Sequence, residues 1–334
     1  MEFLDKIYKK AKKVKKSIIF PEGEEKRIVE AVSAILKLDV CRPVLVGSPE
    51  KIVSVSKGLK VDIKNAEIID ISDLKNLDKY IDLYCEIRKH KNVKKDEAKR
   101  LITENPVFYS SLAVRIGDVD GFVAGASTTT RDVAKAAIYC IGSSKDTPTV
   151  SSSTILILPD RTFGSNGVFI YADAGIVPDP TSEQLRDIAI ASVKMANMLL
   201  DDDPKVAMLS YSTKGSGGNG KSVLKVREAT RLILERYPDM LIDGEVQIDC
   251  AVVPEVAERK DPNSKIKGRA NIFIFPDLDS GNISYKLTER IGKAYAIGPI
   301  IQGLNKPASD LSRGCNAHDI LNAASITALL AQAN

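Results

Sequence analysis

Short apolar segments alternate with longer amphipathic segments along the whole chain, and this alternation constrains the fold more than any other feature. The apolar segments that we predict as strands are residues 17–20, 43–46, 67–69, 121–124, 154–158, 168–172, 206–210, 248–253 and 271–275. The segments with helical spacing are residues 24–36, 132–141, 182–200, 220–237 and 317–331. Strands covered on both faces have continuous apolar sequences, and their alternation with helices is typical of α/β folds with largely parallel sheets.

The length of 334 residues predicts two domains, because a single hydrophobic core rarely grows beyond about 250 residues. A polar segment with a proline, residues 143–149, is the predicted boundary. The last helix is too short to form a domain and must pack on an existing one. We expect a first α/β domain at residues 1–146 plus 305–334, a second at 147–304, and an interdomain cleft of the kind in which small-molecule sites form.

Composition disfavours several kinds of site. There are only two histidines, His90 and His318, whereas histidine is the usual base of catalytic triads and the commonest metal ligand. The 48 basic and 44 acidic side chains form no basic domain, which argues against a nucleic-acid partner. The five scattered cysteines include no C-x-x-C pair, and no segment approaches the roughly 20 apolar residues of a membrane span. We expect reduced thiols, no membrane association and a cytoplasmic location.

A glycine-rich segment, residues 215–222, matches the phosphate-binding pattern G-x-x-x-x-G-K-[ST]. It lies between a predicted strand and a predicted helix, as a phosphate-binding loop does. However, residues 211–214 separate the strand from the first glycine, and the nearest apolar segment ending in aspartate, residues 272–277, is interrupted by Pro276. We interpret the match as a flexible glycine-rich loop, which leaves an ATPase as the less favoured hypothesis.

The segment before the last helix, residues 310–319, contains Ser312, Arg313 and several small residues. Free N–H groups, the helix dipole and a guanidinium make such a helix start a ready anion site. The same segment predicts a capping box in which Asn316 is the N-cap and Asp319 its N3 partner. The local pattern alone favours the cap.

Residues 125–130 carry three threonines after a predicted strand. Their hydroxyl and N–H groups could surround a phosphate at a helix start, or Thr130 or Asp132 could simply cap that helix. Residues 277–281 begin like a calcium loop, but Gly281 stands where a ligand belongs, which favours a turn.

Several collinear segments, taken together, resemble the phosphate acetyl/butyryl transferase family over nearly the whole chain. They are residues 20–25, 88–91, 125–130, 171–173, 178–181, 210–215, 243–245, 275–282, 297–300 and 311–314. On this resemblance, the glycine-rich match is a coincidence within the family's Ser-Thr-Lys-Gly-Ser segment. The resemblance also implies the two-domain architecture that the family shares with dehydrogenases of the isocitrate/isopropylmalate type.

The activity that the resemblance implies is reversible acetyl transfer, in which acetyl-CoA and phosphate give CoA and acetyl phosphate. The CoA thiol attacks the acyl carbonyl directly while both substrates are bound, without metal, ATP or another cofactor. The implied partners are coenzyme A, phosphate, acetyl phosphate and a second copy of the chain in a homodimer.

The same resemblance implies roles for individual residues. Asp319 would take the thiol proton or only orient the thiol, and Arg313 with Ser312 would hold the phosphate and the developing negative charge. A free thiol has a pKa of about 8.5, so a positioned base is useful at neutral pH. The implied substrate-binding residues are Arg88, Arg290, Lys135, Thr129, Thr130, Ser212, Lys214 and Gly215.

Two positions depart from the family pattern. Lys135-Ala136 replaces the usual Arg-Pro, which keeps the charge but loses the bidentate guanidinium. The segment from Leu158 to Arg161 lacks the cysteine of some relatives, which argues against an acyl-cysteine intermediate there.

Three other interpretations stay open. The first is the same chemistry with another acyl group, as in a phosphate butyryltransferase. The second is a non-catalytic acetyl-CoA-binding module, against which the intact Ser312, Arg313 and Asp319 argue. The third is a metal-dependent dehydrogenase of the isocitrate type, which requires metal-binding aspartates and a nicotinamide site that we cannot assemble from this sequence.

Overall fold

The structure, a computed structural model, describes residues 2–73 and 77–333. The chain forms two compact units: Met1–Ser143 with Leu304–Asn334 (unit 1), and Ser144–Gly303 (unit 2). Strands and helices are numbered below in chain order over both units. That the chain divides into independent domains at the predicted boundaries, 1–146 with 305–334 and 147–304, stays a prediction.

Unit 1 is a parallel sheet covered by helices, with the strand order β3-β2-β1-β4-β11. Its strands are β1 (Ser17–Phe20), β2 (Arg42–Val46), β3 (Glu67–Ile69), β4 (Gly121–Ala124) and β11 (Ala308–Asp310). Its helices are α1 (Glu2–Val14), α2 (Lys26–Leu38), α3 (Pro49–Leu59), α4 (Leu77–Ile87), α5 (Lys95–Glu104), α6 (Pro106–Ile116), α7 (Thr130–Ala136) and α13 (Ala317–Leu330). A π-helical turn, Ala137–Ile141, continues α7.

The last helix, α13, belongs to the core of unit 1. Every residue from Ile320 to Leu329 is buried, and the helix contacts α1, α2 and β4. A helix that is apolar on all sides must be covered on all sides. The start of α13, which follows β11 and its loop, is therefore held firmly in place.

Unit 2 has the strand order β10-β5-β6-β9-β7-β8. Strand β5 is antiparallel to both β10 and β6, and the remaining pairs are parallel. The strands are β5 (Ser151–Ile157), β6 (Val168–Ala172), β7 (Val206–Leu209), β8 (Ile242–Val246), β9 (Ile272–Ile274) and β10 (Tyr295–Gln302). The helices are α8 (Ser182–Leu199), α9 (Lys221–Arg236), α10 (Ile248–Val252), α11 (Pro254–Lys260) and α12 (Leu278–Arg290).

The predicted α/β class with largely parallel sheets is confirmed, but one predicted strand is wrong. Residues 248–253 contain the short helix α10, and the strand of this region is β8, which carries the buried acidic residues Asp243 and Glu245. These two side chains interrupt the apolar pattern by which the other strands were predicted. The calcium-like segment is the start of α12, where Asp277 caps the helix by accepting a hydrogen bond from Ser280 N–H.

No helix in the described ranges is both long and apolar enough to cross a bilayer.

Candidate active site

Three loops follow the carboxyl ends of β1, β4 and β11, which are neighbours in the sheet of unit 1. These loops are residues 21–25, 125–129 and 311–316. In open α/β sheets, ligands bind beside such strand ends. We call the three loops, with Thr130 and with Asp319 in the first turn of α13, the strand-end site.

Glu22 holds the loop that follows β4. Its carboxylate accepts hydrogen bonds from the N–H groups of Gly125 (2.9 Å), Ala126 (2.8 Å), Ser127 (2.8 Å) and Thr128 (2.7 Å), and from the Ser127 hydroxyl (2.8 Å). Burial raises the pKa of Glu22, but the hydrogen bonds from Ser127 and Thr128 outweigh burial and leave the pKa below its usual value. The N–H groups of this loop therefore do not surround a phosphate, because a carboxylate of the protein already occupies them.

The threonines that follow this loop begin α7. Thr129 is the N-cap of that helix, whereas the sequence suggested Thr130 or Asp132; the Thr129 hydroxyl accepts from Asp132 N–H (3.2 Å) and donates to the Asp132 carboxylate (2.7 Å). Thr130 is the first helical residue, and its hydroxyl faces the carboxyl group of Asp310 at the end of β11. The hydroxyl of Thr129 is thus committed to the cap.

Arg27, at the start of α2, ties two of the loops together. Its guanidinium donates to the carbonyl oxygens of Ala126 (2.8 Å), Arg313 (2.8 Å) and Cys315 (2.9 Å). Its Nε pairs with the Glu25 carboxylate at 2.9 Å. A planar guanidinium with five N–H donors suits this bridging of several acceptors, which a lysine ammonium on its flexible stem cannot reproduce.

The loop between β11 and α13 ends in the predicted capping box, which is confirmed. Asn316 accepts from the N–H groups of His318 (2.8 Å) and Asp319 (3.1 Å), and Asp319 Oδ2 accepts from Asn316 N–H (3.0 Å). These bonds fix the orientation of the Asp319 carboxylate.

Arg313 lies on the same loop, and its side chain is exposed. Within the described part of the chain its guanidinium pairs with no carboxylate, although Arg27 holds its backbone carbonyl. Ser312 is also exposed, and its hydroxyl accepts from Gly314 N–H at 3.2 Å. An exposed guanidinium with a rigidly held backbone, at the end of a strand and before a helix N-terminus, is suited to binding an anion.

Two of the predicted substrate-binding cations lie against one aromatic ring. The Arg88 guanidinium lies 4.0 Å from the centre of the Tyr139 ring, and Lys135 Nζ lies 5.8 Å from it. Cations over an aromatic face are attracted by its quadrupole. The structure thus brings Arg88 and Lys135 together at the π-helical turn.

A cavity of about 580 Å³ in unit 1 borders Ser127, Thr128 and Asp132. Its wall also carries Glu22, Glu24, Glu25 and Glu104. An acidic wall repels anions, so this cavity is a poor phosphate pocket compared with the Arg313 side of the loops.

In unit 2 the glycine-rich loop after β7 is closed around Glu245. This buried carboxylate accepts from Gly215 N–H (2.7 Å), the Ser212 hydroxyl (2.9 Å) and Arg227 Nε (3.1 Å). Burial raises its pKa, but the hydrogen bonds from Arg227, Gly215 and Ser212 lower it to about 2. The glycine at 215 is required by its φ of +92°.

Two further N–H groups of this loop also donate to protein acceptors. Gly217 N–H donates to the Ser212 hydroxyl (2.9 Å), and Gly218 N–H donates to Gly215 carbonyl oxygen (3.1 Å). Lys214 Nζ lies 3.4 Å from an Asp261 carboxylate oxygen. The geometry argues against a phosphate-binding P-loop here, because such a loop must keep its N–H groups for the ligand.

The last predicted site residue, Arg290, ends α12; its side chain is 79% exposed and lies 3.5 Å from Glu289. Beside α12, a cavity of about 520 Å³ is lined by the aromatic rings of Tyr171, Phe273 and Phe275. This cavity lies at the carboxyl ends of strands in unit 2 and is mainly apolar.

Comparisons with known proteins agree with the fold and with the resemblance. A family model described as phosphate acetyl/butaryl transferase matches residues 2–328. A phosphate acetyltransferase of Thermoanaerobacterium thermosaccharolyticum is 44% identical over 332 residues, 99% of this chain and 100% of the relative. The crystal structure of a phosphotransacetylase from Streptococcus pyogenes superposes with a TM-score of 0.93 at 36% identity, over 100% of this chain and 99% of that one.

A 4-hydroxythreonine-4-phosphate dehydrogenase from Klebsiella pneumoniae shares the fold alone, with a TM-score of 0.53 at 10% identity over 95% of this chain and 100% of that one. The fold is therefore that of the phosphotransacetylases, which extends to a class of dehydrogenases. The chain belongs to the phosphate acetyl/butyryl transferase family.

Sequence reasoning missed three residues that shape the strand-end site: Glu22, Arg27 and Asp310. Glu22 lies within the segment 20–25 that carried the resemblance, but its role depends on a loop about a hundred positions away. Arg27 bonds mainly to backbone carbonyls, which leave no trace in a side-chain pattern. In the described ranges, no three His, Cys, Asp or Glu side chains are grouped to hold a metal ion.

Proposed function

We propose that this chain catalyses reversible acetyl transfer between coenzyme A and phosphate. The observation that carries the proposal is Arg313, an exposed guanidinium without a carboxylate partner among the described residues, beside Ser312 and a fixed Asp319, in a chain of this family. We further propose that phosphate and acetyl phosphate are bound at this side of the strand-end site.

The proposed reaction proceeds by direct attack. The sulfur of CoA forms a bond to the carbonyl carbon of acetyl phosphate, the bond from that carbon to the phosphate oxygen breaks, and phosphate leaves with the bonding electrons. The thiol proton passes to Asp319, or Asp319 orients the thiol while the departing phosphate takes the proton. Arg313 offsets the negative charge that develops on the transferring group, which is the largest kind of contribution that a fixed donor makes.

Six of the eight predicted substrate-binding residues divide into two groups. Arg88, Lys135 and Arg290 have cationic groups that are at least partly exposed, and we propose that they contact the phosphates of CoA or the transferred phosphate. Ser212 and Gly215 have their polar groups bonded to Glu245, and Thr129 caps α7. We propose that these three residues shape their loops rather than contact substrate.

A homodimer is the second part of the proposal. On α12 and at its C-cap, Ile283 (58% exposed), Leu287 (51%) and Ile291 (75%) form one apolar stripe at helical spacing. Contiguous exposed apolar side chains of this kind mark protein–protein contacts. Sedimentation of Leu287→Lys/Ile291→Lys should show a monomer, with Leu224→Lys, a single exposed leucine on α9, as the matched control; an unchanged dimer would place the interface elsewhere.

A cytoplasmic location is also proposed, since all five cysteines are free thiols and such thiols suit a reducing compartment.

Release of CoA from acetyl-CoA, measured against phosphate concentration with and without a chelator, tests the activity. We expect saturable dependence on phosphate and no effect of the chelator. CoA release that does not depend on the phosphate concentration would refute the proposed activity. Rates with butyryl-CoA, measured alongside, decide whether the acyl group is acetyl or longer.

A further inference from the structure

Asp310, the last residue of β11, is a buried acid without an evident structural task. It is 1% exposed, and neither carboxylate oxygen has a partner at hydrogen-bonding distance and angle among the described residues. The Thr130 hydroxyl and Leu311 N–H lie near enough to favour its ionised form, but they leave both oxygens without a proper partner. Burying a polar group without a hydrogen-bond partner destabilises the folded state, so such a group calls for an explanation.

The position of Asp310 connects it to the strand-end site. A Cβ atom at residue 125 would overlap an Asp310 carboxylate oxygen and the backbone of Leu311. Leu311 N–H donates to the carbonyl oxygen of Ala124 at 2.7 Å. The carboxyl group is thus enclosed by the loop that leads to Thr130 and by the loop that leads to Ser312 and Arg313.

Among the described residues, no Lys or Arg forms an ion pair with Asp310. Burial is the main reason that its pKa is raised to about 7, and the carboxylate of Glu22 raises it further. Two helices that carry charged groups, α7 and the start of α13, also pack against β11. Among charged side chains, the Glu22 carboxylate is the one that shifts the pKa of Asp310. The others on these elements are Arg131, Asp132, Lys135, His318 and Asp319.

We propose that Asp310 is a positioning residue for Thr130: as a neutral carboxylic acid it donates its proton to a hydrogen bond with the Thr130 hydroxyl oxygen, which directs the Thr130 O–H towards the phosphate group of the substrate. This inference rests on the proposed function. When Asp310 is ionised, it becomes an acceptor only. The Thr130 O–H then turns inward, and a negative charge is added beside an anion site.

The consequence is that phosphate binding weakens as Asp310 loses its proton. Asparagine has nearly the same shape and can donate from its amide, so Asp310→Asn reproduces the neutral acid at every pH. Leucine has a similar volume and no donor. Thr130→Val removes the hydroxyl on which the proposed effect depends.

The test is a calorimetric titration with inorganic phosphate at about pH 6 and about pH 8.5, on either side of the proposed ionisation. Ionisation of phosphate itself affects all variants alike, so the readout is the ratio of wild-type Kd to variant Kd. For Asp310→Asn we expect a ratio near 1 at the lower pH and at least about 5 at the higher pH, a typical coupling between linked sites. Asp310→Leu should bind more weakly than Asp310→Asn at both pH values.

Two further comparisons separate positioning from a merely structural role. In the Thr130→Val background, the effect of Asp310→Asn on Kd should shrink to the part that comes from the negative charge alone, since contacting residues are not additive. Asp187→Asn, a buried aspartate of unit 2 whose carboxylate has partners, should show the same ratio at both pH values. A pH-independent ratio for Asp310→Asn, or an undiminished effect without the Thr130 hydroxyl, would overturn the inference.

The outcomes also separate this inference from the proposed function. Phosphate binding with the expected ratio of Kd values, but without acetyl transfer, would refute the proposed activity and support the positioning role of Asp310. Acetyl transfer in which the KM for phosphate has the same pH dependence in wild type and Asp310→Asn would support the proposed activity and refute the role of Asp310. If Asp310→Leu does not fold, the asparagine and valine variants still decide the question.

Discussion

In both the strand-end site of unit 1 and the glycine-rich loop of unit 2, a glutamate carboxylate accepts hydrogen bonds from loop N–H groups. The two regions differ in which charged groups and N–H donors stay available to a ligand. The accepting glutamate is the half-buried Glu22 in unit 1 and the buried Glu245 in unit 2. Around Glu245, Arg227 pairs with Glu245 and Lys214 with Asp261, whereas Lys221 of the glycine-rich pattern is exposed and has no carboxylate partner among the described residues. Beside Glu22, Arg313 is left exposed without a carboxylate partner in the described ranges.

This comparison explains why the loop that matches a phosphate-binding pattern is not the proposed phosphate site. A pattern of glycines and lysine identifies donors, but only the structure shows whether those donors already have acceptors. An anion is bound where positive charge and N–H donors are both still available, and in the glycine-rich loop the N–H groups of Gly215, Gly217 and Gly218 already have protein acceptors.

Removal of one cation from each region tests this difference between them. Arg313→Ala should lower kcat by about 100- to 1000-fold, the scale for losing a transition-state charge partner. Lys221→Ala, which removes the lysine of the glycine-rich pattern, should change kcat less than about 2-fold, because surface substitutions away from a site have small effects. Steady-state CoA release measures both, and a larger loss in Lys221→Ala would reverse our assignment.

Asp319→Asn separates chemistry from capping at the strand-end site. Asparagine keeps a side-chain oxygen for Asn316 N–H, so the stability loss should not exceed about 1 kcal/mol. If Asp319 takes or orients the thiol proton, kcat should fall by about 100-fold or more. Thermal unfolding and turnover of the same preparation give both values; a loss of stability with normal turnover would make Asp319 a cap and nothing else.

Arg27 tests whether the held backbone of Arg313 matters. Arg27→Ala removes three bonds to loop carbonyls, and small misplacements of binding groups reduce rates by about 10- to 100-fold. Arg27→Lys should recover only part of the activity, because an ammonium cannot bridge the same acceptors. Arg100→Ala, an exposed arginine paired with Glu104 on α5, is the control and should behave as wild type. Equal activity of Arg27→Ala and Arg100→Ala would contradict a positioning role.

The two glutamates should also differ in stability and pH dependence. Glu245→Gln should lower the free energy of unfolding at neutral pH by about 2–3 kcal/mol, more than Glu22→Gln, because it breaks hydrogen bonds to a charged partner. Since the pKa of Glu245 is lowered to about 2, its contribution is present above the unfolded pKa near 4.5 and is lost as the pH falls through about 2. Melting curves of wild type should therefore fall more steeply over that range than those of Glu245→Gln; parallel curves would refute this.

Asp310 should show the opposite sign. Its pKa is raised to about 7, so its stabilising contribution is complete below the unfolded pKa near 4 and is lost as the pH rises through about 7. Asp310→Asn should melt above wild type at pH values over 7 and close to wild type near pH 4. A difference that is the same at both pH values would contradict the raised pKa.

The fold was predictable where strands are uniformly apolar, as in β4 and β6, and where helices are amphipathic, as in α2, or rich in Ala and Leu, as in α13. It was not predictable at β8, because Asp243 and Glu245 are buried there with partners that are distant in sequence. In the site, the capping box of Asn316 and Asp319 is local and was predicted. The clamps formed by Glu22 and Arg27 join segments about one hundred and nearly three hundred positions apart, so no local pattern contains them.

We propose that Arg313 of unit 1, and not the glycine-rich loop of unit 2, binds phosphate. Calorimetric titration of inorganic phosphate into wild type, Arg313→Ala and Lys221→Ala tests it directly. We predict a Kd for Lys221→Ala equal to that of wild type and a Kd for Arg313→Ala at least about 10-fold higher, as expected for the loss of a charge-assisted hydrogen bond. Weakened binding in Lys221→Ala with unchanged binding in Arg313→Ala would contradict the account.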